Sequence, residues 1–193
     1  MELLARLRDG NEEAFVTLVG RYHDSMIRVA RGFVSSHAVA EEVVQDTWMG
    51  VVRGIERFEG RSSLRTWLFR ILVNRARSAG VREHRSIPLE EVGPVVEATR
   101  FDAHGNWATP PDSWSEDLAD RQHAAEMEPV IRKALDALPD RQRQVVTLRD
   151  VEGLSSDEVC HVLALSEGNQ RVLLHRGRSH LRAALSHQLG SAV

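Results

Sequence analysis

Arg70, Asn74 and Arg77, with Thr66 and Val73 among them, fall on one side of a helical repeat in which no carboxylate interrupts the row. Guanidinium groups and an amide in that arrangement bind phosphates and base edges, and they make or break no bond. A solvated cationic face is the equally simple alternative. On the other side, Leu64, Trp67, Leu68, Ile71 and Leu72 recur at i, i+3, i+4, i+7 and i+8, the spacing of one apolar helix stripe. Ser62 or Ser63 can cap the start of this helix, and Gly60 allows a sharp turn before it.

Two further constellations are of the same kind. Glu42, Gln45, Asp46 and Met49 share a face at i, i+3, i+4 and i+7, which makes an acidic surface with an exposed methionine. It serves either as solvated surface or as a docking face for a basic helix. Near the other end, Arg171, Arg176, Arg178 and Arg182 follow one another with no acid after Glu167. They lie on the second of two helices joined by a tight turn, a helix-turn-helix pattern whose rival is a plain helical hairpin.

Chemistry of other kinds is not apparent. The single cysteine, Cys160, permits no internal disulfide and no Cys-based zinc site, and it reads as a small buried thiol of a reducing cytoplasm. The nine histidines show no metal-ligand spacing, and no nucleophile motif, P-loop or dinucleotide loop is present. The expectation is no enzyme, no metal and no cofactor. The first residues lack a signal-peptide core and no apolar run reaches spanning length, so the chain reads as cytoplasmic, without membrane insertion.

The formal net charge of −3 conceals a separation along the chain. Nine arginines face three glutamates from Arg53 to Arg85, whereas ten carboxylates face two arginines from Glu90 to Glu128. That asymmetry suggests a basic binding surface beside an acidic segment of different purpose. Lys133 is the only lysine. Arginine suits bidentate contacts, although GC-rich coding DNA explains the bias as well.

The elements that must position these side chains are helical throughout. Asn11 caps a first helix with Ala14, Phe15, Leu18 and Val19 inward, and a second runs from about Tyr22 to Phe33. A third extends from Ser36 or His37 to about Arg57, with Val39, Val43, Val44, Thr47, Trp48, Val51 and Ile55 inward. From Ile87 to about Asp117 periodicity disappears among prolines, glycines and carboxylates, the composition of a linker. Trp107 and Trp114 within it are either docked on a folded domain or held for a partner groove. Beyond it, Met127, Ile131, Leu135 and Leu138 return to helical spacing, and Pro139 suits the first position of a helix lined by Val145, Leu148 and Val151. Gly153 stops that helix, Ser155 and Glu158 form a capping box, and Ser166 caps the last helix, which runs to about Gln188. The fold class expected is all-α, with two small helical domains joined by a flexible acidic linker.

Three blocks resemble the extracytoplasmic-function (ECF) sigma factors of bacterial RNA polymerase. Glu41-Glu42-Val43-Val44-Gln45-Asp46-Thr47-Trp48 is similar to that family's motif for the polymerase beta-prime clamp helices, and Phe58 through Asn74 to its segment that opens the minus-ten promoter element. Leu138-Pro139 through Ser155, then Leu165 through Gly168, then His175 through Arg178 resemble its minus-thirty-five domain. Departures occur at Gln170 and Leu173, where the family usually has an apolar and a basic residue, and at Ser78, near the place of a usual acid.

The resemblance implies region 2 over 1–86, a linker over 87–117 and region 4 over 118–193. It implies polymerase contact through Glu42, Gln45, Asp46 and Met49, and minus-ten contact through Arg61, Ser62, Ser63, Arg70, Asn74 and Arg77. Minus-thirty-five contact falls to Arg171, Val172, His175, Arg176 and Arg178. The implied partners are core RNA polymerase (beta-prime clamp helices and beta flap), promoter DNA and an anti-sigma protein. A helix-turn-helix regulator working without polymerase is the rival, and it leaves Phe58 to Arg85 unexplained.

Overall fold

The computed structural model describes residues 2–84 and 121–190. The expected linker over 87–117, with Trp107 and Trp114, lies outside these residues. Every regular element described is helical.

A short helix α1 (Glu2–Arg8), not expected from the sequence, precedes α2. It packs through Leu7, Leu3 and Leu4, and the Arg8 guanidinium donates to the Phe58 carbonyl. The two helices expected over 11–33 are one, α2 (Glu12–Ala30), capped by the Asn11 side chain, which accepts from the Ala14 amide at 2.9 Å. Gly20 does not interrupt it. An exposed mid-helix glycine costs about 1 kcal/mol, less than burial of Leu18, Met26, Val29 and Ala30 along one continuous stripe supplies.

Ser36 caps α3 (His37–Gly54), which tightens into a 3₁₀ turn at Ile55–Arg57. Its Val43, Val44, Thr47, Trp48 and Val51 are buried as expected, and Trp48 meets Phe15 of α2 edge-on at 5.8 Å. Of the two candidate caps for α4 (Leu64–His84), Ser63 is the one used; its hydroxyl accepts from the Thr66 amide at 3.1 Å. The face assignment of this helix needs correction. Leu68 and Leu72 are buried, but so are Phe69, Val73 and Ala76, together with Thr66. A single stripe was too narrow a reading, because α2, α3 and α7 pack around α4 from several sides.

In the second half, α5 (Arg121–Asp136) leads through Leu138 to α6 (Asp140–Val146). Pro139 occupies the N-cap, one position before the helix proper. A π-helical turn over Thr147–Val151 continues α6 and ends at Gly153, whose φ of +66° favours glycine. Val145 and Leu148 are buried, whereas Val151 and Ile131, both expected inward, are exposed. The Ser155–Glu158 capping box opens α7 (Ser156–Leu163) as anticipated, and Ala164 closes it in the left-handed conformation. Finally α8 (Glu167–Gly190) crosses α6 closely at Gly177, where a Cβ would lie 2.5 Å from Val146 Cγ2.

The two halves are packed together. On one side Arg28 of α2 pairs with Glu152 at 3.0 Å, the Gln144 amide donates to the Gly32 carbonyl at 3.0 Å, and Arg31 faces Asp136 at 3.5 Å. On the other side α4 lies along α7.

Candidate nucleic-acid interface

Glu42, Gln45, Asp46 and Met49 all stand on the exposed face of α3, and Met49 keeps 54% of its surface in water. They are presented because α3's other face is fully used by the core. Asp46 lies 3.9 Å from Arg75 of α4, an open pair that leaves the carboxylate accessible.

The minus-ten set divides. Arg61 and Asn74 are exposed, and Arg61 pairs with Glu59 at 3.0 Å in the preceding loop. Ser62 is half-buried, and its hydroxyl lies 3.4 Å from the Ser63 carbonyl. Ser63, Arg70 and Arg77 are engaged by α7, as is the buried Thr66. The Glu158 carboxylate accepts from the Thr66 hydroxyl at 2.7 Å and from the Ser63 hydroxyl at 3.2 Å. Arg70 donates to His161 Nε2 at 2.6 Å, and Arg77 donates to the Leu163 carbonyl at 2.6 Å. Leu163 ends α7, so Arg77 satisfies one of the carbonyls a helix leaves unpaired at its negative pole.

These contacts move the charges concerned. The Thr66 hydroxyl, then the Ser155 amide, hold the Glu158 carboxyl below its usual range against the opposing effect of burial. Burial, then the nearby Arg141, lower Arg77.

In the helix-turn-helix, Arg171, Val172 and Arg176 are exposed near the start of α8, and His175 is half-buried. Arg178 is held in a two-pronged pair with Asp150 at 2.9 and 2.6 Å, and its pKa is raised first by that hydrogen bond. Gln170 is buried on the inner face of α8 and Leu173 packs against the core. Both departures from the expected pattern therefore turn inward. Cys160 is half-buried with its pKa raised, by burial first and then by Glu167 and Asp157, as befits an unreactive thiol.

Sequence reasoning missed Glu158 and His161 as partners of α4. Glu158 was legible as a cap, and nothing in its spacing marks a second role. Among the described residues no His, Cys, Asp and Glu group could hold a metal, and no helix is long and apolar enough to cross a membrane.

Residues 18–86 match the model of Sigma-70 region 2, and residues 130–181 that of Sigma-70 region 4. Over 176 residues the chain is 31% identical to the ECF RNA polymerase sigma-E factors of Salmonella typhimurium LT2 and Escherichia coli K12, covering 91% of this chain and 88% of theirs. The chain belongs to the ECF sigma factors. Two solved structures share its fold at a TM-score of 0.61 and 25% identity: CnrH in complex with the cytosolic domain of CnrY, with 96% of both chains covered, and the sigma factor RpoE of Bartonella quintana with the anti-sigma factor NepR, with 89% of this chain and 96% of that one. Members of this family bind core RNA polymerase and promoter DNA and direct transcription initiation. The matched region 2 accounts for the stretch that a polymerase-independent regulator leaves without a role.

Proposed function

We propose that this ECF sigma factor docks on the beta-prime clamp helices through Glu42, Gln45, Asp46 and Met49, and reads promoters through two separate surfaces. The observation that carries this is the α3 face, on which two carboxylates, an amide and an exposed methionine stand together while the opposite side holds the core. An acidic rim around a soft apolar side chain is complementary to a basic partner helix.

The loop at Glu59 to Ser63 and the row Arg70, Asn74 and Arg77 take the separated minus-ten strand. Unstacking a base costs a few kcal/mol, which hydroxyl, amide and guanidinium contacts to the strand offset. Arg171, Val172, His175 and Arg176 meet base edges of the minus-thirty-five duplex, with Arg178 nearer the backbone and the beta flap behind the domain. Region 2 spans 1–86, a linker 87–117 and region 4 118–193.

The chain performs no catalysis of its own, needs no cofactor and acts in the cytoplasm, where polymerase transcribes. An anti-sigma protein is its natural antagonist, since both solved relatives are bound to such partners or a cytosolic domain. The experiment is initiation by the purified chain with core polymerase on a promoter library. Sequence-selective initiation that depends on the chain is expected; sequence-selective duplex binding without polymerase, and no initiation with it, overturns the reading.

A further inference from the structure

Within α3 stands a glycine that its own backbone does not require. Gly50 is not in the left-handed region, and it lies inside an 18-residue helix, where glycine is the least favourable residue after proline. Its reason lies on α4. A Cβ on Gly50 would stand 2.8 Å from Arg75 Nη2 and 3.5 Å from both Nε and Cζ of the same side chain. The missing side chain is therefore a notch in which the Arg75 guanidinium lies over α3. It ends on the face that carries the docking residues, since Asp46 stands one turn before Gly50 and Met49 beside it, both exposed.

Neutralising Asp46 does not explain a cation there. Their separation of 3.9 Å is beyond hydrogen-bond reach, and an open pair of that kind contributes little to stability. Among the described residues no hydrogen bond ties the guanidinium down, so its five N–H groups are available to a partner. They border a groove of about 440 Å³ between α3 and α4, with room for a side chain from outside. Arg75 and Arg82 line this groove against the one carboxylate of Asp46, a balance that favours an anionic visitor.

We propose that Arg75 is a fifth, cationic member of the polymerase-docking face, admitted by Gly50, and that it takes a carboxylate from a partner helix whose other contacts are basic. The proposal rests on the assignment of the exposed α3 face to polymerase. One cation among carboxylates fixes the register of docking. A partner helix displaced along the face would bring a basic group onto Arg75 and its acid onto Asp46 or Glu42, and both contacts repel.

The test measures binding of the full-length chain to core polymerase without DNA, with circular dichroism and thermal melting as controls of the fold. In G50A the new Cβ meets only the far end of a flexible side chain, and alanine is the better helix former. This variant should melt at or above the parent temperature, while the displaced guanidinium weakens core binding about threefold or more. R75A should weaken it about fivefold and R75E about tenfold or more. A uniformly basic partner predicts the opposite sign, because loss of a cation from an acidic face would then tighten binding. Unchanged or tighter core binding by R75A and R75E overturns the proposal, and if promoter opening alone is lost, Arg75 belongs to the DNA strand instead. A G50A chain that binds as the parent does overturns the role of the notch. Retained binding by E42R/D46R overturns the docking face and the proposal together, whereas its loss with both Arg75 variants unchanged overturns the proposal alone.

Discussion

The Arg77 guanidinium donates to the Leu163 carbonyl at 2.6 Å, joining the arginine helix of region 2 to the final turn of the supporting helix of region 4. Removal of Arg77 therefore loosens the packing of α4 against α7 and also deletes the strand contact proposed for it. Variants at Glu158 and His161, which meet Ser63, Thr66 and Arg70 from α7, alter the packing alone.

Replacing Glu42 and Asp46 together by arginine should abolish binding to core polymerase. Both side chains are exposed and make no contact with the core, so surface changes of this kind alter stability by roughly 0.5 kcal/mol or less. The helical circular-dichroism spectrum and melting temperature should remain near those of the parent. Retained polymerase binding by a folded double variant would remove the α3 face from the interface.

At the minus-thirty-five element, Arg171→Ala should relax preference at one or two positions, since a bidentate arginine–guanine contact is worth about 1–3 kcal/mol of discrimination. Arg178 differs because Asp150 already neutralises it. Arg178→Ala should leave the salt dependence of promoter binding almost unchanged, where an unpaired phosphate-contacting arginine would lower the slope by about one. Binding titrations across a salt series, with polymerase present, measure both effects.

Gly80→Ala should destabilise region 2. A Cβ there would lie 2.3 Å from the backbone carbonyl of Phe33, which no rotamer change can relieve. The cost expected for such overpacking is about 1–3 kcal/mol, read as a lower midpoint in urea with little change in slope. An unchanged midpoint would mean that α4 does not approach the α2–α3 connection this closely.

Acidification should weaken the packing of α7 on α4 through Glu158. Its folded carboxyl titrates below the usual glutamate range, so its contribution is fully present above that range and is lost as pH falls through the lowered value. The distance between spin labels at V81C and K133C, placed in a C160S background, should lengthen below the ordinary glutamate pKa of about 4.3, while E158Q, with no carboxyl to protonate there, should show a flatter response over that range. Equal responses in both chains would assign the acid transition to another group.

The local pattern of the chain determined most of its helices and caps. Asn11, Ser36, Ser155 and Gly153 act within a few residues of themselves, and the apolar spacing of α3 matches the face it buries. The exposed α3 surface was legible for the same reason, since one side of a helix follows from the other. Tertiary structure decided what periodicity could not contain. Whether Gly20 breaks a helix depends on the long-range burial of its neighbours, and the sequence around it admits either outcome. Val73 and Thr66 were grouped with a polar row because a single helix shows only two sides, yet α4 is enclosed by three other helices. The pairing of Glu158 with Ser63 and Thr66 spans more than ninety residues. No spacing rule reaches that far, because such a contact arises only when two separately formed halves present complementary donors and acceptors to each other.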